Sequence, residues 1–186
     1  MSKGRFAARI RELIAGQPML ERVVEPLLRA REALRSEYHV LHRAVLAIVR
    51  ADGTCRQLMT VPGVGALVAI TFTSAVDDPA RFRRSCMVGA HFGLTPKRYQ
   101  SGETDVTGGI SKVGDALVRT ALYEAANVML TRAGRFSSLK RWALEVAKRR
   151  GLKRAKVALA RKLAGVLHRM LVDGTGFRFG QEVGAA

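Results

Sequence analysis

Apolar side chains recur at steps of three and four residues along most of the chain, which predicts helices rather than strands. Between residues 20 and 48 they form a heptad seam, interrupted at Arg31 and made by Leu20, Val24, Leu27, Leu34, Tyr38, Leu41, Val45 and Ile48. Pro26 favours a long helix that begins near Glu25, with a separate short helix before it. The seam fits either a helical hairpin within one domain or a coiled coil between subunits, and the sequence leaves both open.

Residues 58–76 predict a short helix, a tight turn and an apolar helix that begins at Ala66. The glycines of the turn, Pro62-Gly63-Val64-Gly65, allow several backbone N–H groups to be exposed just before a helix N-terminus, where a phosphate is favoured. This pattern is typical of a helix-hairpin-helix DNA-binding element, which holds backbone phosphates without reading bases. The alternative is a glycine turn that only joins two packed helices.

Residues 93–115 are rich in Gly, Ser and Thr and predict a long irregular loop. Within it, the hydroxyl of Ser101, next to Gly102, can attack a phosphodiester if cations stabilise the developing charge and a base takes the proton. Four cations flank the serine: Lys97, Arg98, Lys112 and Arg119. Glu103 and Asp105 are ordinary candidates for the base, and from residue types alone Ser101 is more typical of a turn.

Three helices are predicted after this loop. The first spans residues 112–131 with Ser111 as its N-cap, and the other two span residues 137–172 with a break at Gly151. In the last helix an apolar stripe is predicted to pack into the core. Beside it, the periodicity places a basic stripe made by Arg154, Arg161, Lys162 and Arg169.

The charge of the chain points to a polyanionic partner. Lys and Arg number 32 against 15 Asp and Glu, a net charge of +17, and 13 of these basic residues lie in residues 134–186 beside three acidic ones. If the chain binds about six phosphates, a plot of the logarithm of the binding constant against the logarithm of the salt concentration should have a slope of about −5. A membrane surface is the rival acidic partner, but the apolar stripe is assigned to packing.

Composition excludes several other classes. Hydrophobic residues make up 48% and charged residues 25% of the 186 residues, a globular mixture. Neither a membrane span nor a signal peptide is apparent, so a soluble, cytoplasmic protein is expected. Cys55 and Cys86 form no CxxC motif and are expected to be buried thiols. The four histidines show no metal-site spacing, so we expect no metal bound by this chain alone.

Several segments occur together in a specific order: LMTVPGVGALVAITF, DDPARF, VGAHFGLTPKRYQSGE, GGISKVGDALVRTALYEAA and KRAKVALARKLAGVLHRML. In this combination the chain resembles the C-terminal transposase domain of the bridge-RNA-guided insertion-sequence transposases, the DEDD transposase group of bacterial mobile elements. The resemblance extends from about Leu27 onward. It implies that Ser101 is the nucleophile, that Gly63 and Gly65 are the hairpin glycines, and that Lys112 and Arg119 are basic positions around the site.

The resemblance also implies partners that the residues alone do not. Family members carry an N-terminal RuvC-like nuclease domain with four metal-binding acidic residues, for which Mg²⁺ is implied, and a structured guide RNA pairs with DNA. The acidic residues of this chain are scattered and match no such set. We therefore expect the chain alone to bind nucleic acid without cleaving it.

These inferences define the expected organisation. The fold class is all-α, with a helix and coiled-coil segment at 1–57, a transposase domain with the hairpin and serine loop at 58–176, and a tail at 177–186. The expected function is the serine-bearing half of a DNA transposase that forms a homo-oligomer through the coiled coil. The alternative is a non-catalytic helix-hairpin-helix module or a regulatory transposase remnant.

Overall fold

A computed structural model describes most of the chain, apart from the side chains of 98–101 and 104–107; the described ranges are 5–101, 104–132 and 135–180. Over these ranges the protein is mostly helical, with one two-stranded sheet, so the all-α fold class is confirmed. None of the helices described there has both the length and the apolar character of a membrane span. The chain divides into two compact units, Met1–Ala47 and Ile48–Ala186.

The N-terminal unit contains α1 (Phe6–Ile14) and most of α2 (Pro18–Ala51). The predicted helix start near Glu25 is wrong, because α2 begins at Pro18 and continues through Pro26. Pro18 occupies the first helical position, where the missing N–H has no intrahelical partner to lose. Pro26 removes one hydrogen bond from a helix of 34 residues, which therefore continues past it.

Most of the heptad seam of α2 is exposed, although Val24 and Val45 are half-buried. Ile14 and Leu28 are the buried apolar side chains there. The Arg11 guanidinium binds Glu25 at 2.7 Å, and this hydrogen bond lowers the pKa of the Glu25 carboxyl. By contrast, seam positions at seven-residue intervals are exposed: Leu20, Leu27, Leu34, Leu41 and Ile48.

The C-terminal unit continues from the end of α2 with six helices and a hairpin: α3 (Gly53–Leu58), α4 (Ala66–Val76), α5 (Cys86–His91), β1 (Pro96–Ser101), β2 (Thr104–Ile110), α6 (Ala116–Thr131), α7 (Ser138–Arg150) and α8 (Leu152–Asp173). A single 3-10 turn, Pro79–Arg81, precedes α5 in this described part. The predicted short helix, turn and apolar helix from Ala66 are confirmed, as is the break at Gly151.

The predicted N-cap of α6 is wrong. Asp115 caps this helix, with its carboxylate accepting from the N–H groups of Leu117 and Val118 at 2.7 and 3.2 Å. Lys112 has a φ of +58°, so the backbone is not helical there. Asp115 suits the N-cap position because its carboxylate accepts these N–H groups and also interacts favourably with the positive end of the helix dipole.

Helix α8 is the centre of the core. Leu159, Leu163 and Leu167 are fully buried at successive turns, and α5, α6 and α7 pack around them. The apolar stripe predicted for this helix therefore packs as expected. Phe72 of α4 and Phe92 add a tilted aromatic pair with ring centroids 6.0 Å apart.

The segment predicted to be irregular contains the antiparallel hairpin β1–β2 instead. Pro96 pairs with Ile110 and Ser101 pairs with Thr104, with a bulge between Pro96 and Arg98. Four β-branched residues in β2 favour strand geometry: Thr104, Val106, Thr107 and Ile110. Two residues separate Ser101 from Thr104, which is the number that a tight hairpin connection has. The high Gly, Ser and Thr content of the segment favoured the prediction of an irregular loop instead.

Candidate nucleic-acid interface

A groove of about 1620 Å³ follows one face of α8. Its walls are formed by the segment before α5, the base of the hairpin, the start of α7 and the segment after α8. The lining residues from these four walls lie within 82–86, at Pro96 and 108–110, within 138–142 and at 175–178.

The groove is strongly basic. Eight of its described lining residues are Arg or Lys: Arg83, Arg84, Lys153, Arg154, Arg161, Lys162, Arg169 and Arg178. Asp173 is the one carboxylate among those lining residues, and its Oδ2 lies 3.4 Å from Nε of Arg169. A surplus of cations along an open groove favours a polyanion, since each phosphate contact releases condensed counterions.

The periodicity of α8 explains why its cations share this groove. Arg161, Lys162 and Arg169 follow Arg154 by seven, eight and fifteen residues, which keeps them on one side of a helix. The structure thus brings together Arg154, Arg161, Lys162 and Arg169, the four residues predicted to form the basic stripe of this helix. Between them the groove is lined by apolar or small residues of α8, which include Ala158 and Gly165, and by His168.

Close packing of α5 on α8 fixes the position of Arg161. A Cβ added at Gly89 would lie 2.8 Å from Cγ of Arg161 and 3.2 Å from its carbonyl oxygen. A glycine is therefore required for α5 to approach α8 this closely. The stem of Arg161 is held against α5 by this contact, while the residue lines the groove.

Trp142, the single tryptophan of the chain, lines the groove from α7. Nζ of Lys162 lies 4.1 Å from the centroid of its ring, a cation–π contact that restrains the lysine. Because the tryptophan is unique, its fluorescence reports on this groove alone.

Sequence reasoning did not assign the other four cations of the groove, or Trp142, to a site. A signal was present for two of them, since Arg83 and Arg84 belong to the basic run RFRRS next to the short DDPA segment. Lys153 and Arg178 reach the groove through helix geometry or chain folding that residue types alone do not reveal.

Lys97 and Lys112, two of the predicted cations of the hairpin region, are not among the groove-lining residues described. Lys97 is exposed in β1, next to Pro96 of the groove wall, and is not among the lining residues described. Lys112 is exposed beyond β2, and its backbone N–H donates to the Gly93 carbonyl. Arg98 belongs to β1 by its backbone, while its side chain is not part of the description.

Arg119 contacts the backbone on both sides of the hairpin. Its Nη1 donates to the carbonyl oxygens of Phe92 and Val113 at 3.1 and 3.3 Å. The side chain is half-buried and joins the chain that enters the hairpin to the chain that leaves it. Arg119 therefore orients the hairpin base, and this side chain would act on a ligand through that base.

The turn at residues 62–65 is only partly open. Gly63 has a φ of +88°, and an added Cβ would lie 2.4 Å from the Ala125 carbonyl of α6. Val64 is buried, and its N–H donates to the Val61 carbonyl. Gly65, the N-cap of α4, is exposed with open space around it. Among the described residues, none of the turn lines the groove, so the structure does not join the two into one surface.

Side chains tie α3, just before this turn, to the end of α8. Nε2 of Gln57 donates to the carbonyl oxygens of Met170 and Thr175, both at 2.7 Å. Oγ1 of Thr60 accepts the N–H of Phe177 at 2.9 Å. These contacts hold the 175–177 segment of the groove wall in place.

Ser101, the predicted nucleophile, ends β1 by its backbone, and its side chain falls outside the described residues. Gly102 and Glu103 also lie outside them. Within the described ranges, the structure places no three His, Cys, Asp or Glu side chains together as metal ligands. The roles predicted for Ser101 and Mg²⁺ therefore stay predictions.

The two cysteines differ in environment. Cys55 is buried, and burial together with the neighbouring Asp52 carboxylate raises the pKa of its thiol to about 11. The expectation that both thiols are buried is wrong for Cys86, which is exposed and lines the groove. It is the first residue of α5, where the helix has not yet turned against α8.

Comparison with known proteins points to one family. Residues 55–143 match the family model described as Transposase IS116/IS110/IS902 family. The matched region begins at α3 and ends within α7, so it includes the 62–65 turn, the hairpin and the 82–86 wall of the groove. The match therefore supports the transposase family of the resemblance. It does not distinguish the bridge-RNA-guided group within that family.

Curated relatives agree with this match. The chain is 35% identical over 135 residues to the transposase for insertion sequence element IS1111A of Coxiella burnetii, covering 72% of this chain and 37% of the relative. It is 31% identical over 150 residues to a probable family 20 transposase of Pseudomonas aeruginosa, covering 80% of this chain and 44% of the relative. The chain thus spans less than half the length of these curated relatives.

Proposed function

We propose that this chain binds nucleic acid through the groove along α8 and serves in DNA transposition as the serine-bearing C-terminal domain of an insertion-sequence transposase. The binding proposal rests on the charge of the groove, whose described lining contains eight Arg or Lys side chains and one carboxylate. The similarity to named transposases supports DNA as the partner and transposition as the process.

The hairpin connects the groove to the predicted nucleophile. Pro96 and Ile110, paired at its base, line the groove, and the two strands continue to Ser101 and Thr104. At about 3.3 Å per residue, Ser101 lies roughly 16 Å along the strand from Pro96. We propose that a strand held in the groove presents a phosphodiester to the Ser101 hydroxyl, with Lys97, Arg98 and Lys112 supplying positive charge.

A complete reaction needs groups that this chain is not proposed to supply. The resemblance implies a RuvC-like domain that holds Mg²⁺ on acidic residues and a structured guide RNA that pairs with DNA. We propose that this chain supplies the nucleophile and the phosphate contacts, and that the acidic domain supplies the metal chemistry. The chain alone is then expected to bind DNA without cleaving it.

Fluorescence of Trp142 tests the binding proposal. Titration with a DNA duplex and with single strands should change this fluorescence, and the affinity should fall steeply as salt rises. The double variant Arg154→Ala and Arg161→Ala should lower the log–log salt slope by about 1.8, at about 0.9 per phosphate. The matched control is Arg149→Ala with Arg150→Ala, two exposed α7 residues that are not among the described groove-lining residues. Equal slopes for the two double variants would contradict the proposed groove.

Ser101→Ala separates the catalytic proposal from the non-catalytic alternative. With a RuvC-like partner supplied, loss of strand exchange with DNA binding retained supports a nucleophilic serine. Unchanged strand exchange would instead favour a helix-hairpin-helix binding module or a regulatory remnant. Ser111→Ala is the matched control, because Ser111 lies beyond the hairpin and is not among the lining residues described for the groove.

The exposed seam of α2 supports the formation of a homo-oligomer through that helix. Leu27, Leu34 and Leu41 are 64%, 72% and 66% exposed, at the spacing of a coiled-coil seam. We propose that a second copy of the chain packs there. Leu34→Asp with Leu41→Asp should convert the oligomer to a monomer in analytical ultracentrifugation. The control Glu32→Ala with Glu37→Ala, off the seam, should leave the mass unchanged.

A further inference from the structure

His168 is a buried polar side chain of α8 that no function described so far uses. It is 2% exposed, its Nδ1 lies 2.9 Å from Oγ of Ser85, and its Nε2 lies 2.9 Å from the carbonyl oxygen of Pro79. The ring of Phe82 packs edge-on against it, with centroids 5.5 Å apart. One imidazole therefore contacts both ends and the middle of the segment 79–85.

The contact with Pro79 requires a hydrogen on one ring nitrogen. A carbonyl oxygen only accepts, so Nε2 of His168 carries the hydrogen and donates to Pro79. In the neutral ring Nδ1 then has a free lone pair, to which the Ser85 hydroxyl donates. Both ring nitrogens are satisfied, as a buried polar side chain requires. Phenylalanine fills a similar volume but makes neither hydrogen bond.

The segment held by His168 carries part of the basic wall of the groove. Arg83 and Arg84 lie between its anchors, are exposed and line the groove. The salt bridges found among the described residues include neither arginine. The position of these two guanidinium groups therefore depends on how the backbone of 79–85 is held.

We propose that His168 is a positioning residue that sets Arg83 and Arg84 against the basic face of α8 for phosphate binding. The proposal rests on the proposed nucleic-acid function of the groove. The imidazole reaches the groove lining but is 2% exposed, so its proposed role is to hold the segment rather than to bind phosphate. It acts by joining α8, which carries Arg161 and Arg169, to the segment that carries the opposing pair of cations.

The test uses the full chain with His168→Phe and Ser85→Ala, and measures binding of a DNA duplex by Trp142 fluorescence over a range of salt. Loss of ordered contacts by two arginines should reduce the salt slope by up to about 1.8. Val118→Ala, a cavity variant in α6 at a residue that is not among the described groove-lining residues, is the stability-matched control and should leave the slope unchanged. His168→Gln keeps a donor near Pro79 and should restore part of the slope.

A double-mutant cycle distinguishes positioning from mere stability. Arg83→Ala with Arg84→Ala should lower the slope in the wild-type background and cause no further loss beside His168→Phe. A full additional loss in that background, or wild-type slopes for both His168→Phe and Ser85→Ala, would overturn the proposal. If His168→Phe does not fold, the same cycle with Ser85→Ala decides. Salt-independent binding by the wild-type chain would instead refute the proposed function.

Discussion

The basic stripe of α8 and the turn at residues 62–65 were both predicted from sequence to bind phosphates. In the structure, the stripe lines an open groove, whereas the turn is partly packed against another helix. In the groove, side-chain cations project from one helix face into open space. At the turn, Gly63 is pressed against the backbone of α6 and Val64 is buried, so Gly65 alone is fully open. The periodicity of a helix determines where its side chains point, whereas the direction of loop amides depends on which element packs against them.

Gly63→Ala should have the largest effect and tests which part of the turn is structural. The substitution places a Cβ 2.4 Å from the Ala125 carbonyl at a φ of +88°. Backbone strain and overpacking together should cost about 3 kcal/mol of unfolding free energy, measured by urea denaturation. Gly65→Ala, with open space and an extended φ of −97°, is the matched control and should cost less than about 1 kcal/mol.

The outcome of this pair bears on the comparison. A stable Gly63→Ala protein that has lost DNA binding would show that the turn is an interface rather than a packing contact. Loss of binding by a fully stable Gly65→Ala protein would show that the open half of the turn contributes to DNA binding. Either result would weaken the distinction between groove and turn.

Gly89→Ala should have the next largest effect and tests the groove through its packing. The new methyl group would lie 2.8 Å from Cγ of Arg161, so the arginine stem must move. Loss of one charged contact of about 1.5 kcal/mol should weaken DNA affinity about tenfold. Gly53→Ala, in α3 and not among the described groove-lining residues, places its Cβ at an ordinary 3.7 Å from Nη2 of Arg56; it is the control and should retain wild-type affinity. Equal affinities for the two variants would mean that the position of Arg161 does not matter.

Much of the helical framework could be predicted from the sequence. Apolar periodicity and Gly151 located α7 and α8, and the same periodicity grouped Arg154, Arg161 and Lys162 on one side. The start of α2 was misplaced because two prolines, Pro18 and Pro26, compete for the first helical position. Local pattern alone does not decide between them.

The site could be predicted only in part, because its remaining walls come from residues far apart in the chain. Arg83 and Arg84 are held near α8 by the hydrogen bond between Ser85 and His168, two residues 83 positions apart in the chain. No local sequence pattern indicates such a contact. Arg119, predicted to be a basic position around the site, also donates to two backbone carbonyls, acceptors that its position along the chain does not reveal. Helix geometry is local information, whereas a groove wall is set by tertiary packing.

Thiol chemistry gives the smallest expected effect and compares the groove with the core in one experiment. At about pH 8, iodoacetamide should alkylate exposed Cys86, while Cys55 stays unmodified because its raised pKa, about 11, keeps it a protonated, buried thiol. Saturating DNA should slow alkylation of Cys86, which lines the groove, and leave Cys55 unreactive. Peptide mass spectrometry measures both sites, and Cys86→Ser identifies the signal. Unchanged Cys86 reactivity under conditions where Trp142 fluorescence shows saturation would place the bound DNA away from the α5 side of the groove.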